Sequence, residues 1–312
     1  MRWLITGSGG QLGQCLVGSL EARPGQTLVG AFDHSTLDIA RPGALANLLA
    51  KGGADAPDIV VNAAAFTAVD RCEEEAERAQ RVNADAPGWL AEDCWSAGLA
   101  YVHVSTDYVF SGVASEPYAE DAPVGPRTAY GRSKAEGERR VMEAHPKALV
   151  VRTSWLFGPG QNFVAAILRQ AQRRGQGLES GPLRVVSDQC GCPTYAGDLA
   201  EGILELAGVD PDREPMGEGR GQAPIGIFHL ANRGKTTWFD FARAILDETG
   251  YGEIELEPTK TSDLGLPAER PAWSVLGCRR AAELGVNLRP WREALVAYLN
   301  SAAGIALQEE QG

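Results

Sequence analysis

Tyr130 and Lys134 stand four residues apart in Tyr130-Gly131-Arg132-Ser133-Lys134. On a helix that spacing puts both side chains on one face. A phenol has an ordinary pKa of about 10, and a neighbouring ammonium lowers it. The pair would be an acid matched to neutral pH, worth roughly 10²–10⁴-fold in a proton transfer. Upstream, Ser105-Thr106-Asp107 closes an apolar run. A hydroxyl there can bond an oxygen that becomes protonated. Ser105 and Thr106 alternate across a strand end, so one of them should face the site, and Thr106 is the expected one. Near the N-terminus lies Gly7-Ser8-Gly9-Gly10-Gln11-Leu12-Gly13. Together these groups would suit movement of a hydride to or from a carbonyl.

The glycine segment follows a strand and opens a helix. Missing side chains let the backbone approach a pyrophosphate, whose charge rests on the helix N-terminus. Gly7, Gly10, Gln11, Leu12 and Gly13 are the expected contacts. Asp33 ends the second strand, where an acid can bond a ribose 2′-hydroxyl. It repels a 2′-phosphate and so favours NADH; His34 and Ser35 beside it leave NADPH open. Asp38-Ile39 is placed for an adenine. Asn62-Ala63-Ala64-Ala65 follows the third strand, and its small residues let a dinucleotide cross the sheet edge, with Ala64, Ala65 and Thr67 as expected contacts.

Alternating elements must position these groups. Strands are expected over 2–6, 28–32, 59–61, 101–105 and 148–152. Helices are expected over 11–22, 44–50, 71–95 (broken near Pro87) and 130–144. That rhythm predicts an α/β doubly wound parallel sheet, Rossmann-type, with helices on both faces. Beyond Trp155 come helices over 163–174, 198–207, 237–248 and 291–299, and short strands near 185 and 227–230. The expected division is a dinucleotide-binding domain, 1–155 plus about 195–232, and a smaller C-terminal α/β substrate lobe, about 156–194 plus 233–312. The stretch 208–226 reads as an exposed loop insertion. The tail from Gly304 is expected to fray.

Composition excludes several classes. The net charge of −12 argues against nonspecific nucleic-acid binding. No run of eighteen apolar residues exists, so no membrane span is expected. The first strand starts at Arg2, which leaves no room for a leader. The six cysteines form no CxxC pair and read as thiols of a cytoplasmic protein without a metal.

On these motifs the chain resembles the extended short-chain dehydrogenase/reductase superfamily, and within it the dTDP-4-dehydrorhamnose reductases. The likeness runs nearly end to end. It includes Gly7 to Gly13, Val61-Asn62-Ala63-Ala64-Ala65-Phe66-Thr67-Ala68-Val69-Asp70, Ser105-Thr106-Asp107-Tyr108-Val109-Phe110 and Tyr130 to Lys134. Arg152-Thr153-Ser154-Trp155, Asp188-Gln189, Pro193-Thr194 and Arg270-Pro271 with Ser274 carry the narrower assignment. The resemblance implies reduction of the C4 ketone of a dTDP-sugar by NADPH or NADH. Tyr130 would donate the proton, and Lys134 would hold the nicotinamide ribose and tune Tyr130. Thr106 would bond the sugar oxygen, Asp107 a sugar hydroxyl, and Trp155 would pack on the sugar. Asn162 and Arg270 would be candidates for the diphosphate, with Arg270 equally a candidate structural clamp. Related dehydratases carry Asp-Glu after the Thr; here Tyr108 follows Asp107, so the carboxylate that elimination requires is missing. Some members pair through a magnesium site with an acid near position 15. Cys15 offers none, which implies a monomer or weak homodimer without a metal bridge. Two other readings remain: a C4 ketoreductase or epimerase on another nucleotide sugar, and a noncatalytic NADP-binding regulatory subunit of the same fold.

Overall fold

The computed structural model describes residues 1–50, 52, 56–208 and 224–309. In chain order the first half runs β1 (Arg2–Thr6), α1 (Gln11–Glu21), β2 (Thr27–Phe32), α2 (Ala44–Leu49), β3 (Ile59–Asn62), α3 (Val69–Glu74), α4 (Ala76–Gln80), a π-helical turn (Arg81–Asp85), α5 (Ala86–Ser96), β4 (Ala100–Thr106), α6 (Ala129–Ala144) and β5 (Leu149–Thr153). The second half runs β6 (Leu156–Phe157), α7 (Phe163–Gly175), β7 (Leu183–Val186), β8 (Cys190–Gly191), β9 (Thr194–Tyr195), α8 (Ala196–Leu206), β10 (Gly226–His229), β11 (Thr236–Thr237), α9 (Trp238–Glu248), β12 (Leu256–Thr259), α10 (Arg279–Glu283), α11 (Trp291–Leu299) and α12 (Ala302–Glu309).

One six-stranded sheet has the order β10-β5-β4-β3-β1-β2, and every neighbouring pair is parallel. The order reverses at β1, with β3 on one side and β2 on the other. A crevice opens at the carboxyl ends of the strands at such a reversal, and ligands of doubly wound folds bind there. Both faces are covered, so the strands are nearly all apolar and alternate between two cores. Trp3, Ile5, Val61, Val102 and Val151 pack against α1 and α8 through Leu12, Leu16, Leu20, Leu199 and Ile203. Leu4, Val60, Tyr101 and Val150 pack the other way, onto Leu45, Leu90 and Val141. A third core lies in the later chain, where Phe157, Ile167, Phe241, Trp291 and Tyr298 join α7, α9 and α11. Among the described residues no helix is long and apolar enough to cross a membrane.

Three expectations need correction. The helix expected over 71–95 is three helices and a π turn, and Pro87 lies within the first turn of α5. The π turn carries Asn83, which is fully buried. Its Oδ1 accepts from the Phe66 N–H at 2.8 Å, and its Nδ2 donates to the Phe66 carbonyl and to Ser133 Oγ. A π bulge inserts one residue to turn such a group inward, which helical spacing alone does not reveal. The tail does not fray at Gly304: 302–309 form α12, with Leu307 packed on the third core. β12 was not expected from the sequence at all; it pairs in parallel with β7. Most of the 208–226 stretch lies outside the described residues.

Candidate active site

α1 starts at Gln11 with no side-chain cap, which leaves its first-turn amides for a ligand. The turn before it is built for close approach. Gly7 has φ +79°, and a Cβ there would lie 2.5 Å from the Ala64 nitrogen. A Cβ on Gly13 would overlap the Gly7 carbonyl oxygen. Gly13→Ala should therefore deform the turn and weaken coenzyme binding at least about tenfold, roughly the cost of an overpacked contact. Titration of protein fluorescence with the reduced coenzyme checks this.

A cavity of about 820 Å³ lies over this turn. Gly7, Gly10, Asp33, His34, Asp38, Ile39, Ala64 and Ala65 line it. Asp33 Oδ1 accepts from the N–H and hydroxyl of both Ser35 and Thr36, which holds its carboxyl down at about 2. It is an anion at every working pH. Asp38 is partly used: it accepts from the Ala40 N–H and from Arg41 Nε, 3.1 Å each. Arg78 and Arg81 also line this cavity, which the sequence reading missed. Arg78 lies 4.5 Å over the Phe66 ring, and Arg81 Nε donates to the Ala40 carbonyl. Only the fold brings α4 and the π turn to this cavity.

A second cavity, of about 380 Å³, adjoins the first across Gly10, Ala63 and Ala65. Gln11, Leu12, Gly13 and Thr67 enter it from the coenzyme end; Thr106, Asp107, Tyr130, Lys134 and Trp155 enter it from the other. Gln11 Oε1 is buried there with no partner, an acceptor awaiting a ligand. The two cavities, the uncapped helix and this orphaned amide fit a dinucleotide along the sheet edge.

Thr106 Oγ1 donates to Asp107 Oδ1 at 3.0 Å and accepts from the Tyr108 N–H. Burial pushes the Tyr130 phenol above its ordinary value, outweighing the opposite influence of the Thr106 hydroxyl. This corrects the expectation that Lys134 lowers Tyr130. The amine is occupied elsewhere: Nζ donates to the Val104 carbonyl at 2.7 Å and lies 3.2 Å from His103 Nε2. Burial also brings Lys134 itself down to about 8, so its charge is conditional. Ser105 was expected to face away, yet it lines the same cavity with its hydroxyl unpartnered.

Burial raises Asp107 to about 6, against the hydroxyls of Ser274 and Thr106. The folded protein thus takes up this proton between about 6 and the ordinary carboxylate range, and that stabilisation is lost as pH rises through the window. An acid in this state accepts no sugar hydroxyl through its protonated oxygen. KM for the sugar is expected to climb as pH falls below about 6 while coenzyme affinity holds, which initial rates at saturating coenzyme would read.

Trp155 has φ +45°, the one non-glycine with positive φ among the described residues. It stacks on Trp238 at 3.6 Å, and its ring lies against Gly191, where a Cβ would overlap it. Trp238 also lines the cavity and donates its indole N–H to Gln189 Oε1. The sequence reading placed position 238 only in a helix. Two expected contacts lie elsewhere. Asn162 is not among the lining residues; its Oδ1 caps α7 at the Ala165 N–H, and its amide donates to Gly158 and Gly160 carbonyls. Arg270 clamps Asp70 at 2.6 Å and the Ala268 carbonyl.

A family model described as RmlD substrate binding domain matches residues 1–303. The chain belongs to this family. Among its relatives is a probable dTDP-4,6-dihydroxy-2-methyloxan-3-one 4-ketoreductase of Streptomyces antibioticus, 42% identical over 95% of this chain and 93% of that protein. A dTDP-4-dehydrorhamnose reductase of Mycolicibacterium smegmatis is 40% identical over 97% of this chain and 86% of that one. The solved dTDP-4-dehydrorhamnose reductase of Bacillus anthracis, in complex with NADP, superposes with a TM-score of 0.82 at 31% identity, covering 96% of this chain and 98% of that one. As an RmlD family member the chain shares the parallel-sheet fold of the solved reductase.

Proposed function

We propose that this protein reduces the C4 ketone of dTDP-4-dehydro-L-rhamnose to dTDP-L-rhamnose, using NADPH or NADH. The observation that carries it is the meeting of Thr106, Tyr130 and Lys134 in one cavity that adjoins the dinucleotide crevice. The relatives that bear this activity in their names support the choice of substrate. Residues 1–155 with about 195–232 hold the coenzyme in this reading, and 156–194 with 233–312 enclose the sugar.

The bound coenzyme supplies the hydride. Tyr130 gives its proton to the carbonyl oxygen, and burial keeps that proton in place until it is needed. Thr106 holds the same oxygen. Asp107 accepts from a sugar hydroxyl, and the Trp155–Trp238 stack bounds the sugar. Lys134 bonds the nicotinamide ribose, and the amides of Gln11 and Leu12 hold the pyrophosphate. Asp33 takes the ribose hydroxyl of NADH, while Arg78 and Arg81 offer cations to a 2′-phosphate. No second carboxylate follows Asp107, where Tyr108 stands, so elimination is not supported.

The test is purified protein with dTDP-4-dehydro-6-deoxy-L-lyxo-hexulose and either coenzyme, followed by loss of reduced-nicotinamide absorbance. No oxidation of either would overturn the assignment and favour a noncatalytic role. A second reading is a 4-ketoreductase on another dTDP-sugar, favoured by the Streptomyces antibioticus relative. A higher kcat/KM on a 2-deoxy-4-keto sugar would decide for it.

A further inference from the structure

Behind Lys134 runs a chain of buried polar groups, Thr6, Asn62, His103 and Lys134, each at most 1% exposed. It crosses three neighbouring strands, because Thr6 of β1 is in register with Asn62 of β3, and Asn62 with His103 of β4. Hydrogen-bond polarity along this chain is decided at one end. The Ala64 backbone N–H is a donor and nothing else, and it meets Asn62 Oδ1 at 3.1 Å. Thr6 Oγ1 donates to the same oxygen at 2.7 Å. The amide is thereby oriented with Nδ2 toward His103 Nδ1, at 3.2 Å. Nδ2 only donates, so Nδ1 must carry a lone pair. A neutral imidazole then has its hydrogen on Nε2, and Nε2 lies 3.2 Å from Lys134 Nζ.

An ammonium has no lone pair, so it would meet that N–H donor to donor. A neutral amine accepts from Nε2–H and still donates to the Val104 carbonyl. Reversing the chain would turn the Asn62 amide over and set its NH2 against the Ala64 N–H, donor to donor, leaving both without that partner.

We propose that Asn62 fixes His103 in the Nε2–H tautomer, and that this N–H favours the neutral amine of Lys134 over the ammonium in the coenzyme-free protein. His103 is a positioning residue that tunes the amine. The catalytic consequence rests on the reductase reading above; the tautomer argument does not. The other charged groups around the amine are few. Glu138, one turn along α6, favours the ammonium, but it is neutralised by Arg152 of β5 at 2.7 Å. Asp107 and Tyr130 line the same cavity. Burial brings Lys134 down to about 8, and burial beside Lys134 keeps His103 uncharged. An ordinary lysine, at about 10.4, surrenders no proton near neutrality.

The chain has five lysines, Lys51, Lys134, Lys147, Lys235 and Lys260. Lysine carrying ¹³C at Cε therefore gives few signals, and Lys134→Arg assigns the one of interest. In coenzyme-free protein the Lys134 signal should titrate near pH 8, well below the ordinary lysine value. His103→Gln can turn an oxygen toward Nζ without adding charge, so its Lys134 midpoint should rise by about one unit or more. Asn62→Asp accepts from Nδ1–H and should raise it as well. A wild-type midpoint at the ordinary lysine value of about 10.4 would overturn the proposal. So would an unchanged midpoint in both variants, or a rise in Asn62→Asp alone, which charge would explain. Because no substrate is present, these outcomes are independent of whether the reductase assignment stands.

Discussion

Tyr130→Phe should reduce kcat by about 10²–10⁴ while the coenzyme still binds within about threefold of the original affinity. The substitution removes one oxygen from a buried ring whose packing continues: Tyr108 meets it edge-on at 5.5 Å, and Cys72, Ala79 and Ala129 surround it. The lost function is therefore proton donation, with little change in fold. Thr106 and Asp107 stay within the cavity, but Thr106 is far too weak an acid, and Asp107 is charged above about 6. The rate at pH 5.5 should recover slightly if protonated Asp107 can substitute, and the pH profile of the variant reads this. Full activity at pH 7 would show that another group protonates the carbonyl. The raised pKa of the phenol has a directional meaning. Reduction needs an acid that is charged with its proton, and oxidation needs a phenolate; burial favours the first.

Glu138→Leu should lower stability by about 3–5 kcal/mol, the usual consequence of leaving a buried charge without its partner. Arg152 is 2% exposed and grips Glu138 at two points, Nε to Oε1 at 2.8 Å and Nη2 to Oε2 at 2.7 Å. Its remaining nitrogen, Nη1, donates to the Glu120 carbonyl and lies 3.4 Å from His229 Nε2. With the carboxylate gone, a guanidinium would stay in the interior beside the Phe110 ring, 4.9 Å away. Replacing both partners with apolar residues should recover most of the loss, because the penalty belongs to the unpaired charge. Denaturant midpoints for the two single variants and the double variant make the cycle. Near-equal stability of Glu138→Leu and the parent would mean the pair contributes nothing. Glu138 lies on the helix that also carries Tyr130 and Lys134, so loss of the pair should also weaken catalysis.

Most of the sheet was legible because each strand is an apolar run ended by a chemically distinct residue: Thr6, Asn62, Thr106. The glycine turn, Asp33 and the Tyr130–Lys134 pair were legible because their spacing on one element is itself the signal. What stayed hidden depends on contacts between elements. Strand register, which no single segment encodes, joins Asn62 to His103 and so to Lys134. Arg78 and Arg81 enter the larger cavity only through the packing of α4 and the π turn, which their spacing does not encode. Trp238 comes to the sugar side through a stack with Trp155, eighty-three positions away in the chain. Asn162 was misread for a local reason: Asn three residues ahead of Ala165 is an ordinary helix start. The preference of a phenol between charged and neutral forms also escaped, since it follows from burial that composition does not show.

The carboxamide of Asn83 binds both polar atoms of Phe66 and the hydroxyl of Ser133, three positions after Tyr130. One small side chain thus rivets the Phe66 strip, which lines the larger cavity, to the helix that carries Tyr130 and Lys134. In the proposed reduction, hydride donor and proton donor would be kept in step by this shared fastening. Any change that loosens this rivet would blur the alignment of both partners at once.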